Sequence, residues 1–157
     1  MQPKDRIIVA LDVNNLDKAI SLVENLAAHV GGFKIGLEFI CSMLASIISP
    51  KPANDVVALG NFRKIRDLFC LLGDKKIFWD GKFDDIPNTV AGAAKAVAGM
   101  NVMMFNAHAS AGIDVMMAAV ANKGQSLVLA VTVLTSREDN EGNLTFGGPT
   151  RAKVLQF

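Results

Sequence analysis

The chain has 157 residues, 51% of them apolar, and its 16 basic and 15 acidic side chains leave a formal net charge of +1. A chain of this length can bury a sizeable core within one domain. The balanced charge and the high apolar content argue against a nucleic-acid-binding protein and against a disordered one.

No segment of the sequence has the pattern of a membrane span or a signal peptide. Apolar runs such as 127–134 are too short to cross a bilayer, and the polar N-terminus leads directly into a strand. Cys41 and Cys70 match no metal-binding or redox spacing. We therefore expect a cytoplasmic protein in which both cysteines are buried and reduced.

Strand and helix patterns alternate along the chain. Runs of β-branched and other apolar residues predict strands, and apolar residues at helical spacing predict helices. In chain order the patterns predict a strand over 6–13, a helix over 16–30, a strand over 33–37, a helix over 37–48, a helix from 60 or 61 to 72, a strand over 76–82, a helix over 89–98, a strand over 101–106, a helix over 111–121, a strand over 127–134 and the start of a helix over 151–157. The continuous apolar run of 127–134 is typical of a parallel strand covered on both faces.

Local signals indicate where the first elements begin and end. Asn14 and Asn15 can cap the first helix, and Gly31 with Gly32 is expected to stop it. The segment 49–60, which is polar and proline-bearing at its start, is predicted to be an insertion between the second and third strands.

Polar residues at the ends of the predicted strands indicate the fold. Repeated βα units form either a doubly wound sheet or part of a (β/α)8 barrel, and neither a G-x-G-x-x-G turn nor a P-loop motif supports the former. TIM-barrel enzymes collect their catalytic groups at the C-terminal ends of the strands. Here the predicted strand ends hold Asp12, Asp80, Lys82, Asn106, His108 and Thr135, and Lys34 is within the second strand. We therefore predict an α/β protein that supplies about the first five βα units of a (β/α)8 TIM barrel, as a single partial domain over 1–157.

The third predicted strand combines an apolar run with charges. It ends in Asp80 and Lys82, which alternation with period two places on one face, and Asp85 follows where the strand gives way to a loop. Charges in a buried strand are costly unless they are paired and hydrogen-bonded. This stretch is therefore the strongest candidate for a reaction site.

These residues resemble the orotidine 5′-phosphate decarboxylase family. The resemblance runs in order along nearly the whole chain, through Ala-Leu-Asp12-Val, Phe-Lys34-Ile-Gly, Asp80-Gly-Lys82-Phe-Asp-Asp85-Ile-Pro-Asn-Thr89 and Val-Thr-Val-Leu-Thr135-Ser. It implies cofactor-free decarboxylation of orotidine 5′-monophosphate to UMP and CO2 in pyrimidine biosynthesis. It also implies a homodimer with shared active sites, no metal, and no nucleic-acid or membrane partner.

The resemblance implies a role for each matching residue. Lys34, Asp80, Lys82 and Asp85 would form a tetrad of alternating charge in which Lys82 protonates C6. Asp12 would bind the ribose or the pyrimidine side, and Thr135 would meet the pyrimidine edge. Ile86 and Thr89, together with Asp85, would reach into the neighbouring subunit's site.

Two other functions stay open. A magnesium-dependent sugar-phosphate decarboxylase or aldolase of the same superfamily would share Asp-x-Lys-x-x-Asp, but it would require further acidic residues where this chain has Ile-Pro-Asn-Thr. The resemblance also implies three further strands and a phosphate-binding arginine, which are not among these 157 residues. A truncated, non-catalytic remnant that acts as a binding or assembly protein is therefore the third possibility.

Overall fold

Strands and helices alternate through the parts of the chain that the computed structural model describes, which are residues 2–48, 55–73, 76–138 and 145–157. The strands are β1 (Ile8–Ala10), β2 (Gly32–Gly36), β3 (Ile77–Phe83), β4 (Met104–His108) and β5 (Leu127–Val131). The helices with described bounds are α1 (Leu16–Leu26), α2 (Leu37–Ile48), α3 (Asp55–Leu72), α4 (Pro87–Ala98), α5 (Ile113–Ala121) and α6 (Thr150–Gln156), and short 3-10 helices cover Pro3–Arg6 and Ala109–Ala111.

The strands follow their chain order in one sheet, β1-β2-β3-β4-β5. β1 pairs with β2 in parallel, with Val9 opposite Phe33, and β2 pairs with β3 in parallel, with Gly36 opposite Asp80. Parallel neighbours need a crossover connection, and here helices supply it. The prediction of an α/β protein built from successive βα units is confirmed.

The described residues form two compact units. The N-terminal unit comprises the described residues up to Gly81 together with Asn101–Met104, and the C-terminal unit comprises Lys82–Met100 and the described residues from Phe105 onward. The first unit buries Leu11, Val23, Phe33, Ile35, Phe39, Leu68 and Leu72. The second buries Val90, Ala94, Phe105, Ala107, Val115 and Ala119. A single domain over 1–157 stays a prediction.

The first helix begins as predicted but ends earlier. The Asn15 side-chain oxygen accepts hydrogen bonds from the backbone N–H groups of Asp17 and Lys18 at 2.9 and 3.1 Å, so Asn15 is the N-cap. The helix ends at Leu26, before the Gly31–Gly32 pair that was expected to stop it. Gly31 has another reason to be glycine, because a Cβ there would collide with the backbone carbonyl of Asp5.

Two helices begin earlier than the sequence indicated. α3 begins at Asp55, so the predicted insertion is helical from that residue, while residues 49–54 lie outside the described ranges. Gly60 is therefore inside a helix, where it costs about 1 kcal/mol relative to alanine, but α3 packs on both α1 and α2. Pro87 is at the first position of α4, where its fixed φ favours the helix and its missing N–H costs nothing.

Several strands are shorter than predicted or differently exposed. The 3-10 helix over Pro3–Arg6 delays β1 to Ile8, and the left-handed Asn101, with φ 56°, precedes β4. Leu127 of β5 is 58% exposed, and Leu129 is exposed as well. The prediction that this strand is covered on both faces is therefore wrong for the described residues.

The prediction that both cysteines are buried is wrong, because the thiols are on the exposed faces of their helices. Cys41 and Cys70 are both free and exposed. Each comes two positions after a buried residue, Phe39 in α2 and Leu68 in α3, and two positions in a helix turn a side chain about 200°. Among the helices that the structure describes, none combines the length and the apolar character that crossing a membrane requires.

Candidate active site

Lys34 is held by two carboxylates in the N-terminal unit. Its Nζ lies 3.1 Å from Asp12 Oδ1 and 3.2 Å from Asp80 Oδ2. Lys34 is on β2, Asp80 is on β3, and Asp12 follows β1, so three neighbouring strands contribute one charge each. The structure thus brings together three of the predicted site residues in one ion-pair cluster.

The exposure of this cluster increases from Asp80 to Asp12. The Asp80 side chain is 9% exposed, that of Lys34 is 25% exposed, and that of Asp12 is 58% exposed. Gly36 leaves space for the ammonium, because a Cβ built there would lie only 3.1 Å from Lys34 Nζ. The cluster therefore anchors a buried carboxylate while its outer end stays open to a ligand.

The charges of the cluster determine the protonation of Lys34. Burial by itself lowers the pKa of the Lys34 ammonium, but its hydrogen bonds to Asp12 and Asp80 and the attraction of both carboxylates act in the opposite direction. The net effect raises the pKa of Lys34 above its ordinary value of 10.5. Lys34 is therefore a permanent cation at neutral pH.

Lys82, in the C-terminal unit, has an unusual backbone conformation for a strand residue. Its φ is 47°, in the left-handed region, although it lies within β3. Its backbone N–H donates a hydrogen bond of 2.7 Å to Oδ1 of Asn106, which is buried in β4. Alternation with period two requires a regular extended backbone, which Lys82 does not have, so the prediction that Asp80 and Lys82 share one face loses its basis.

The predicted cross-subunit residues are on the surface around the start of α4. Asp85, Ile86 and Thr89 are all exposed. Asp85 Oδ1 accepts a hydrogen bond of 2.7 Å from the backbone N–H of Ile86, which is the N-cap position of α4. This local bond fixes the turn and leaves the apolar Ile86 side chain in solvent.

A cavity of about 230 Å3 in the C-terminal unit lies beyond the carboxyl ends of three strands. It is lined by residues that end or follow β3, β4 and β5, namely Asp84, His108, Ser110, Thr132, Leu134, Arg137, Thr145 and Phe146. The carboxyl ends of parallel strands are where ligands bind in (β/α)8 folds. Thr135 is exposed in the turn after Leu134, and its predicted contact with a pyrimidine stays a prediction.

The His, Cys, Asp and Glu side chains of the described residues determine whether this part of the chain can hold a metal ion. Within the described part of the chain, no group of three or more His, Cys, Asp and Glu side chains is arranged to hold a metal ion. His108 lines the cavity together with the charged residues Asp84 and Arg137 and with hydroxyl and apolar groups.

Comparison with known proteins decides the family. The sequence profile of the orotidine 5′-phosphate decarboxylase / HUMPS family matches residues 5–152. The chain belongs to this family. Orotidine 5′-phosphate decarboxylase of Syntrophomonas wolfei is 39% identical over 145 residues, which cover 87% of this chain and 53% of that protein. The Legionella pneumophila (strain Lens) protein of the same name is 37% identical and covers 90% of this chain and 55% of its own length.

Solved structures show the fold. The crystal structure of orotidine 5′-phosphate decarboxylase from Lactobacillus acidophilus has a TM-score of 0.72 and 26% identity, covering 96% of this chain and 63% of that one. The Pyrococcus horikoshii structure has a TM-score of 0.63 at 23% identity and covers 89% of this chain and 56% of that one. The partial (β/α)8 barrel predicted from the sequence is confirmed, and the chain spans about half the length of the curated relatives it matches.

Sequence reasoning missed two contributors to the site. Gly36 follows Lys34 by two positions on β2. Nothing in the neighbouring sequence indicates that its missing side chain leaves room for the Lys34 ammonium. The sequence indicates Asn106 only as a polar residue at a strand end. Its contact with the Lys82 backbone depends on a conformation that lysine seldom adopts.

We expect Lys34→Met to lower the free energy of unfolding by about 2 kcal/mol, because it removes the ammonium that pairs with the buried Asp80 carboxylate. Urea denaturation of the chain measures this loss. Lys64→Met is the matched control, since Lys64 pairs with Asp17 on the surface and should contribute about 0–1 kcal/mol. Equal losses in the two variants would contradict the structural difference between the pairs.

The same comparison has a defined pH dependence. The folded-state pKa of Lys34 is raised, so its stabilising contribution is fully present below the ordinary value of 10.5 and is lost as the pH rises through the higher folded value. The difference between the parent and Lys34→Met should therefore be constant from about pH 6 to about pH 9 and shrink only at higher pH.

Proposed function

We propose that this chain carries the catalytic charges of a cofactor-free carboxy-lyase that converts orotidine 5′-monophosphate to UMP and CO2 in pyrimidine biosynthesis. The observation that carries the proposal is the cluster of Lys34 on β2, Asp80 on β3 and Asp12 two residues after β1. The relatives named orotidine 5′-phosphate decarboxylase support the choice of reaction.

The proposed roles follow from the charge and exposure of each group. Asp12 and Lys34 are accessible enough to hydrogen-bond the hydroxyls of a ribose, and Lys34 also holds Asp80 in place. Asp80 would lie beside the carboxylate of the substrate. Lys82 would then be the proton donor to C6, and Thr135, next to the cavity residue Leu134, would meet the pyrimidine edge.

The chemistry requires a fixed cation. Loss of CO2 from C6 leaves a carbanion in the ring plane, which no group on the substrate delocalises. An ammonium already fixed nearby stabilises that charge as it develops and then supplies the proton. The repulsion between the substrate carboxylate and Asp80 falls as CO2 departs, although preorganised electrostatics is the larger contribution.

The assembly that we propose is a cytoplasmic homodimer with shared active sites, built from one barrel domain per subunit. Its support is the exposed segment Asp85–Thr89, in which Ile86 is a large apolar side chain in solvent. Asp85, Ile86 and Thr89 would complete the site of the partner subunit. No nucleic-acid or membrane partner is proposed.

We expect Lys82→Ala to lower kcat by at least about 1000-fold, because it removes both the cation and the proton donor. The assay follows loss of orotidine 5′-monophosphate in the 157-residue chain and in a chimera with the C-terminal portion of the Syntrophomonas wolfei relative fused after Phe157. Lys82→Arg should not restore activity, since a guanidinium does not release its proton at neutral pH.

Lys95→Ala, which removes an exposed lysine of α4, is the control for this experiment and should leave kcat unchanged. A Lys82→Ala variant within about tenfold of its parent, a barrier difference of about 1.4 kcal/mol, would exclude Lys82 as the proton donor.

Mixing subunits tests the shared site. Lys82→Ala and Asp85→Ala subunits, each inactive alone, should recover activity after exchange, because some sites of the heterodimer then contain both intact residues. Lys82→Ala mixed with Lys34→Ala is the matched control and should stay inactive, since both of these residues would serve the site of their own chain. Equal behaviour of the two mixtures would assign Asp85 to its own subunit.

Metal removal separates this proposal from a magnesium-dependent sugar-phosphate enzyme. Turnover of orotidine 5′-monophosphate should be the same with and without EDTA, because the proposed charges are all protein side chains. Activity that is lost in EDTA and restored by Mg2+ would favour the magnesium-dependent reaction. Absence of any turnover, in the chain and in the chimera, would favour a non-catalytic role.

A further inference from the structure

The backbone of Lys82 is held in a conformation that a lysine does not choose by itself. A side chain with a Cβ is strained at φ 47°, whereas glycine adopts such angles freely. The preceding residue is a glycine, but Gly81 is not among the glycines with positive φ. The strain is therefore located on the lysine, and the surrounding structure must maintain it.

Asn106 supplies the contact that satisfies this conformation. Its side-chain carbonyl accepts the Lys82 N–H at 2.7 Å, a short hydrogen bond for an amide donor. Only 3% of Asn106 is exposed, so the carbonyl is fixed in the interior of the unit. In a regular parallel strand, a backbone N–H donates to a backbone carbonyl of the neighbouring strand. At Lys82 the acceptor is instead the Asn106 side chain.

Phe105, which precedes Asn106, packs against Phe83, which follows Lys82. The rings of Phe105 and Phe83 pack with centroids 5.7 Å apart, and Phe105 is fully buried. Consecutive residues of β4 therefore hold consecutive residues of β3, one through a hydrogen bond and one through ring packing. Because Phe83 has this ring contact, loss of the hydrogen bond should affect the Lys82 backbone more than Phe83.

We propose that Asn106 is a positioning residue for Lys82. Its carbonyl maintains the left-handed backbone at Lys82, and the backbone in turn determines where the Cα–Cβ bond aims the ammonium. Without the bond, Lys82 relaxes toward an extended conformation and its side chain leaves that direction. The catalytic consequence, though not the structural one, rests on the proposed function of Lys82 as the proton donor.

Hydrogen exchange at the Lys82 amide tests the structural part. Amide exchange measured by NMR on the chain should show protection at Lys82, and Asn106→Ala should speed that exchange by at least about tenfold more than exchange at the other β3 amides. Asn106→Asp keeps an acceptor oxygen at the same place, at the cost of a buried carboxylate, and exchange at Lys82 should stay slower than in Asn106→Ala. Val115→Ala is the control, because it removes a buried contact in α5 of the same unit without touching Lys82.

Steady-state kinetics test the catalytic consequence of the Asn106 contact. They use the 157-residue chain or the chimera, whichever decarboxylates orotidine 5′-monophosphate. Asn106→Ala should lower kcat by at least about tenfold and leave KM nearly unchanged, because substrate contacts remain while the proton donor is misaimed. Asn106→Asp, which keeps the acceptor oxygen, should retain a higher kcat than Asn106→Ala. Loss of stability alone would instead lower the active fraction in Val115→Ala and Asn106→Ala alike.

The outcomes separate this inference from the proposed function. Unprotected Lys82 in the parent, or equal exchange in the parent and Asn106→Ala, overturns the positioning role even if Lys82→Ala is inactive. Specific loss of protection in Asn106→Ala together with an active Lys82→Ala supports the positioning and overturns the proton-donor assignment. Loss of protection with an unchanged kcat, in an enzyme that needs Lys82, overturns the claim that the backbone aims the ammonium.

Discussion

A carboxylate almost closed to solvent is the constraint on which the site depends. Asp80 is part of a β-strand and is paired with the Lys34 ammonium of the neighbouring strand. An ion of this kind is tolerated only with a partner at hydrogen-bonding distance, and the partner must itself be supported. Asp12 provides that support from the loop after β1, so the charge requirement of one residue connects three strands.

Much of the architecture could be predicted from the pattern of apolar residues and caps. α2 has the predicted bounds, and Asn15 caps α1 as its side chain and position indicated. Helix bounds differed from the prediction at Gly60, where helix packing overrode the local preference of glycine and α3 continues through it. They also differed at Pro87, because proline fits both a loop and the first position of a helix. Cys41 and Cys70 are exposed because of the helix faces on which they lie, and an apolar composition does not indicate which face of a helix is buried.

For the site, the residue types were predictable and the backbone was not. Charges within an apolar strand are costly without partners, so Lys34, Asp80 and Lys82 could be chosen as candidates from the sequence, and the structure pairs Lys34 with Asp80. A positive φ at Lys82 has no signature in the neighbouring letters, because lysine has no preference for that region and Gly81 would be the residue expected to take it. Asn106 becomes informative only when the strands are placed side by side.

Gly31 has a consequence for how variation along this chain can be interpreted. Its missing side chain lets the carbonyl of Asp5 pass directly against the residue before β2, so every other amino acid there must push two backbone segments apart. In a saturation library selected for the decarboxylation proposed above, Gly31 and Lys82 would both be depleted of substitutions, for unrelated reasons. A parallel selection for protein abundance would deplete Gly31 alone, so the two selections together would separate this backbone constraint from the proposed catalytic role of Lys82.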